Sequence, residues 1–212
     1  ERCGLAEDTL LVFASDNGSP GRNGSAEDPG TVLATFGHNP SWILRGMKAD
    51  IWEGGHRVPF LARWPGRIQP RSRADGLVCL MDLMATCADL TGAELPPGAA
   101  EDSLSLAPVL LGEAPAASIR ESLVHHSHHG MFAMRKGAWK YIAGWGSGGF
   151  SANAAIPCLR DTPRTQYDPP EQLYDLADDL REQHNLWGER QTVVADLAQL
   201  LARHRFAGEP PR

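Results

Sequence analysis

Long hydrophobic runs are missing from this chain. No stretch approaches the ~20 consecutive apolar residues that span a bilayer, and the best one, residues 76–90, is broken by Asp82 and Asp89. A membrane-spanning helix is therefore not expected. Cysteine is scarce, with four in 212 residues, too few for a disulfide scaffold. Cys79 and Cys87 fall in one expected helix, about 12 Å apart at ~1.5 Å per residue, whereas a bridge needs Cα atoms within ~7 Å. No Cys-x-x-Cys occurs, so a Cys-based zinc site has no support. Basic residues are outnumbered, 20 Lys and Arg against 26 Asp and Glu, for a net charge of −6. That balance argues against a whole-surface nucleic-acid binder and leaves room only for a local basic pocket. An initiator Met and a secretory leader are lacking too. The chain opens on Glu1 and reaches an expected strand within ten residues, which suggests a fragment.

What the chain does have is loop. Its 22 Gly and 16 Pro exceed ordinary globular usage, and loops carry sites. Apolar residues at 42% are still enough for a core. Residues 9–15 and 58–63 are nearly continuous apolar runs, the pattern of strands buried on both faces of an α/β sheet. A polar, glycine-rich loop separates them, to about residue 40. Residues 76–90 carry an apolar stripe at helical spacing, with Asp75 as the expected N-cap and Gly92 as the stop. Residues 92–117 read as a surface connection. Composition then shifts: residues 122–127, 131–135 and 138–143 read as short strands, with a tight hairpin turn at Lys136-Gly137. Residues 144–172 read as a second glycine-rich loop, and residues 189–206 as a closing amphipathic helix. The expected division is 1–117, part of an α/β catalytic domain, and 118–212, a small antiparallel β subdomain packed by the terminal helix.

Two segments could carry chemistry. Asp16-Asn17-Gly18 lies just past the carboxyl end of an expected buried strand, where ligands bind in open α/β sheets. A carboxylate and an amide carbonyl are hard oxygen donors suited to Ca²⁺ or Mg²⁺. By itself, the tripeptide reads first as a plain turn. The second segment runs from Arg45 to Pro59. Its Gly54-Gly55 step permits close backbone approach, and Lys48 supplies a compact cation for an oxyanion. Arg45, Lys48 and Arg57 together stand out in an acidic chain. The run His125-His126-Ser127-His128-His129 is open to three readings: a zinc site through His126 and His128 on one strand face, a substrate-facing His126, and plain surface histidines. Residues 144–151 could line a sugar subsite or be simple loop.

Taken in order, several segments resemble the type I, formylglycine-dependent sulfatases of the alkaline phosphatase superfamily, including arylsulfatases and N-acetylgalactosamine-6-sulfatases. They are Phe13-Ala14-Ser15-Asp16-Asn17-Gly18, Leu44-Arg45-Gly46-Met47-Lys48, Trp52-Glu53-Gly54-Gly55-His56-Arg57-Val58-Pro59 and Arg63-Trp64-Pro65-Gly66. Further along come Asp82-Leu83-Met84-Ala85-Thr86, Met134-Arg135-Lys136-Gly137-Ala138-Trp139-Lys140-Tyr141, and Gln172-Leu173-Tyr174-Asp175-Leu176 with Asp179, Glu182 and Asn185. The resemblance implies an α/β fold, part of an alkaline-phosphatase-like mixed sheet sandwiched by helices, plus a small C-terminal antiparallel sheet packed by a helix. It implies hydrolysis of sulfate esters of a carbohydrate or aryl alcohol, with one Ca²⁺ held in part by Asp16 and Asn17, the sulfate touched by Lys48, and His126 near the cleft. The remaining calcium ligands and the formylglycine nucleophile are expected upstream, because no Cys- or Ser-x-Pro-Ser-Arg motif occurs here. The resemblance thus covers the carboxyl-terminal half, and the 212 residues alone are expected to be inactive. A periplasmic or secreted location, a sulfated partner and no nucleic acid follow from the same resemblance. Two other functions remain open at this point: a phosphatase or phosphodiesterase of the superfamily, and an inactive binding or structural module.

Overall fold

The computed structural model describes residues 3–20, 36–153 and 163–205. The expected loop over residues 21–35, Cys158 and the end of the last helix at Phe206 lie outside the described residues. Two compact units divide the chain, and each is discontinuous in sequence. One comprises residues 1–16 and 59–123, the other residues 17–58 and 124–212.

In the first unit, β1 (Leu11–Ala14) pairs antiparallel with β2 (Phe60–Arg63), Phe13 opposite Leu61. Both expected strands form, each shorter than its apolar run. The expectation of burial on both faces is corrected: Leu11, Phe13 and Leu61 share one face and remain 58%, 63% and 59% exposed. With only two strands paired among the described residues, no layer covers that face.

The expected helix starts later than its apolar stripe suggested. It begins at Asp82, not Gly76, after a turn; in chain order the helices are α1 (Glu53–His56), α2 (Asp82–Thr91), α3 (Ala107–Leu110) and α4 (Gln191–Arg205). Asp75 does not cap α2 but pairs with Arg73. The Asp82 carboxylate does the anchoring. Fully buried, it accepts the Cys79 and Leu104 N–H groups at 2.8 and 3.0 Å and pairs with Arg120 at 2.5 Å. Thr86, one turn on, donates to the Asp82 carbonyl and accepts from Leu106 N–H. The Asp82–Thr86 segment is thus a structural clasp between α2 and the segment after it. Gly92 ends α2 in the left-handed conformation, as expected. Cys79 and Cys87 are free thiols.

In the second unit, four strands form one sheet in the order β3 (Ser122–His126), β4 (Phe132–Lys136), β5 (Trp139–Ile142) and β6 (Gln172–Asp175). The hairpin turn is Gly137-Ala138, since Lys136 pairs with Trp139; Gly137 takes the positive φ of 56° that the turn needs. β6 was not anticipated, because its four residues follow a long loop with little alternation of their own.

Period-two alternation then sorts the side chains. Met134, Tyr141 and Leu173 face one way and pack with Val194, Leu197 and Leu201 of α4. Ala133, Ile142 and Tyr174 face the other way and pack with Ile51 and Trp52. The small sheet is therefore covered on one face by the terminal helix, as expected, and on the other by the segment that carries Lys48.

Candidate functional site

Backbone contact builds this site before any side chain does. Gly18 donates its N–H to Gly55 O at 3.0 Å, and a Cβ on Gly18 would lie 1.8 Å from Gly54 O. A Cβ on Gly54 would sit 2.4 Å from Gly46 O, and one on Gly55 would sit 2.2 Å from Asp50 O. Three glycines thus let the Asn17-Gly18 turn and the loop around Lys48 lie against each other with no side chain between. Lys48 N–H donates to Ser19 O at 2.7 Å, joining the two turns directly. The Asn17 amide nitrogen donates to Gly18 O, so its oxygen, the metal-ligand end of the amide, is turned away from that carbonyl. Asp16 is exposed at the start of the turn after β1. A carboxylate and an amide oxygen on adjacent residues suit a hard divalent cation.

The three basic residues flagged in the sequence separate into different roles. Arg45 lies 3.7 Å over the Trp52 ring and donates to Tyr174 Oη and to the Glu182 carbonyl. Arg57 pairs with Glu53 at 2.7 Å. The Lys48 ammonium has no hydrogen bond or ion pair to a described residue. Of the three, it is the cation left for a ligand.

The loop presenting Lys48 is held from behind by Asp50. This fully buried carboxylate accepts Met47 N–H at 2.8 Å, Ser151 N–H at 3.0 Å and Ser151 O–H at 2.6 Å. Ala49, between Lys48 and Asp50, is forced to a φ of 80°, strained for a residue with a Cβ, and its carbonyl accepts His128 N–H at 2.9 Å. Three segments singled out separately in the sequence therefore meet: residues 17–19, 45–51 and 125–151.

Beneath them lies a charge cluster that sequence reasoning missed. Lys140 on β5 is fully buried. Its Nζ sits 3.0 Å from Glu53 Oε1 and 2.8 Å from Glu182 Oε1. Glu182 Oε2 also accepts the Glu53 N–H at 2.7 Å, and Arg135 approaches Glu53 at 3.2 Å. Burial alone would raise the Glu53 carboxyl, but Lys140, Arg135 and Arg57 together hold it well below the ordinary carboxylate range. Glu182, with burial against it and Glu53 close by, is pushed up despite Lys140. The alternation of β4 and β5 could have flagged Arg135 and Lys140 as sharing one face, but nothing local showed that this face was covered.

Two histidines lie beside the cluster. The His56 and His125 rings meet at 4.3 Å, tilted by 55°, and the Nε2 atom of each is buried without a hydrogen bond to a described residue. Burial first, then the Lys140 charge, brings His56 down to about 4 and His125 well below its ordinary value. His126 is exposed, its Nδ1 2.8 Å from Ser127 O and its ring beside Phe132. Among the described residues, no three His, Cys, Asp or Glu side chains gather as a metal site.

These shifts carry a pH prediction. Between pH 6.5 and 4 the unfolded chain binds protons at residues 56 and 125 that the folded chain refuses. Stability is then present above the ordinary histidine range and is lost as pH falls through it. Two such groups give a slope of about 2.7 kcal/mol per pH unit at its steepest. Glu53 adds to the loss below its ordinary value near 4.5, while Glu182 acts in the opposite direction. Denaturant unfolding at pH 7, 6 and 5 is expected to show a falling midpoint, with His125→Phe flattening the curve. An unchanged slope in that variant would remove the histidine explanation.

Residues 1–93 match the family model described as Sulfatase. The chain is 33% identical over 205 residues to an N-acetylgalactosamine-6-O-sulfatase of Bacteroides thetaiotaomicron, covering 93% of this chain and 36% of that protein. To arylsulfatase A of Homo sapiens it is 35% identical over 204 residues, covering 93% of this chain and 37% of that protein. A solved structure from Bacteroides thetaiotaomicron, titled for the metabolism of multiple glycosaminoglycans, superposes with a TM-score of 0.75 at 33% identity, covering 93% of this chain and 39% of the other. A sulfatase structure from Pseudoalteromonas sp. gives 0.71 at 25% identity, covering 96% and 38%. The chain spans little more than a third of the length of these relatives, and the matched region is a C-terminal part of them.

Proposed function

The chain belongs to the sulfatase family, and from that premise we propose that it forms the calcium-side and substrate-side part of an enzyme hydrolysing sulfate esters of a carbohydrate. The observation that carries this reading is the junction of the Asn17-Gly18 turn with the Lys48 loop, which sets hard oxygen donors and an uncommitted ammonium on neighbouring backbone. In the reaction a sulfate ester and water give an alcohol and hydrogen sulfate. Lys48 places positive charge against the sulfate oxygens, where negative charge must be tolerated as sulfur is attacked. Asp16 and Asn17 would hold calcium, with ligands supplied from elsewhere, and calcium bound there would supply charge neutralisation for the sulfate. On this reading His126 is the residue that the resemblance brings near the substrate cleft, although its ring lies beside Phe132. One relative's name, N-acetylgalactosamine-6-O-sulfatase, supports a sulfated sugar as the substrate class, beside others named for aryl and steryl sulfates.

The nucleophile motif of the family is not in these 212 residues, so on this reading they turn over no ester alone. The working protein contains an upstream segment with that motif, and acts in the periplasm or after secretion. Among the described residues, no helix is long and apolar enough to cross a membrane. The test is sulfate release from sulfated monosaccharides by a longer chain carrying the motif, with and without a calcium chelator. Release that is chelator-sensitive supports the reading. Chelator-insensitive release, or cleavage of phosphate esters in preference to sulfate esters, overturns it.

A further inference from the structure

The run of histidines divides at Ser127, which is buried and turns the chain out of β3. His125 points into the protein and His126 lies along the strand, whereas His128 and His129 emerge beyond the turn and are exposed. The His128 ring lies 5.4 Å from the ring of Phe150 and 5.2 Å from that of His129, tilted by 60° and 55°. Phe150 is 44% exposed, so a large apolar ring stands at the surface beside the His128 imidazole.

Both rings are tied to the residues next to Lys48. His128 N–H donates to Ala49 O, and Ser151, adjoining Phe150, bonds Asp50 through both its N–H and its hydroxyl. A Cβ on Gly149 would fall 2.3 Å from Ala49 O, so this loop packs on the Lys48 turn at backbone contact. His129 N–H donates to Gly148 O and closes the arrangement. An exposed apolar ring held this firmly is a surface with a fixed position relative to Lys48.

We propose that His128 and Phe150 form the subsite that holds the sugar ring of the substrate, and so determine which sulfate esters are accepted; this rests on the reading of Lys48 as the sulfate contact. The chemistry selects a pyranose. A pyranose offers an apolar C–H face to Phe150 and hydroxyls at its rim to the imidazole nitrogens, which both donate and accept. An aryl ring would use the first and leave the imidazoles unanswered.

The test titrates the 212-residue chain with glucose 6-sulfate, phenyl sulfate and inorganic sulfate, followed by NMR shifts or calorimetry. Glucose 6-sulfate is expected to bind about tenfold more tightly than inorganic sulfate, the equivalent of roughly one aromatic contact. Phe150→Ala and His128→Ala are expected to abolish that difference and leave inorganic sulfate binding unchanged. Both variants should fold, since the ties run through main chain and Ser151. Lys48→Ala should weaken all three ligands alike. Wild-type chain that takes glucose 6-sulfate no more tightly than inorganic sulfate overturns the proposal, as do variants that keep the preference. Phenyl sulfate binding above glucose 6-sulfate overturns the choice of a pyranose. Inorganic sulfate binding that survives Lys48→Ala overturns the Lys48 reading instead, and the ring preference of the Phe150 variant is read independently of it.

Discussion

Lys48→Ala, made in a longer chain that carries the nucleophile, is expected to lower turnover by at least ~10²–10³-fold, the cost typical of losing one preorganised oxyanion-stabilising group. The fold should not notice. Lys48 is held through its backbone N–H to Ser19 O, and its loop through Asp50 and the Gly18, Gly54 and Gly55 contacts. None of these uses the ammonium, so the melting temperature and calcium affinity should stay at wild-type values. Asp16→Asn gives the contrasting pattern. Removing one negative ligand weakens a hard-cation site directly, so calcium affinity and turnover fall together. Turnover, calcium binding and melting temperature measured on both variants separate the two roles. Near-normal turnover in Lys48→Ala would assign the lysine to the fold's ancestry and not to the chemistry.

Lys140→Ala is expected to have the largest effect on stability. Its ammonium is the shared counter-charge for Glu53 and Glu182, and all three groups are buried. Removing it leaves two carboxylates facing each other in a site that water does not reach. Breaking a buried pair from one side typically costs ~3–5 kcal/mol, which for a chain of this size lowers the melting temperature by roughly 10 °C. Pairing Lys140→Met with Glu182→Gln should cost less than the two changes summed, because removing the orphaned charge relieves the first change. Denaturation midpoints of Lys140→Ala, the two single changes and the double variant check this. A loss under about 1 kcal/mol for Lys140→Ala would mean that solvent reaches the cluster.

Strands and helices were legible where one segment alone decides them. The apolar runs at β1 and β2, the stripe and Gly92 stop of α2, the β4–β5 hairpin and α4 all follow from local pattern. The start of α2 and the turn residues of the hairpin were each misplaced. Asp82 anchors its helix through partners more than twenty residues away, and the hairpin register is set by pairing along both strands. The burial of β1 was overestimated for a related reason. An apolar run states what a strand would accept on its faces, not what the chain supplies to cover them.

At the site, the chemical types were in the sequence: a hard-donor pair at Asp16 and Asn17, a basic group at Lys48, and histidines at 125–129. The family, too, could be recognised from short motifs in order. Tertiary structure alone decided which of these act together. It occupied Arg45 with Trp52 and Tyr174, occupied Arg57 with Glu53, and left Lys48 uncommitted among the described residues. It separated His125, turned inward, from His128, turned outward beside Phe150. It also made Lys140 a buried counter-charge, although its place in an alternating strand reads as a solvent-facing one. The physical reason is common to all three. A residue's chemistry is written in its own side chain, but its charge state, partners and exposure depend on segments a hundred residues away, and those meet only when the chain folds.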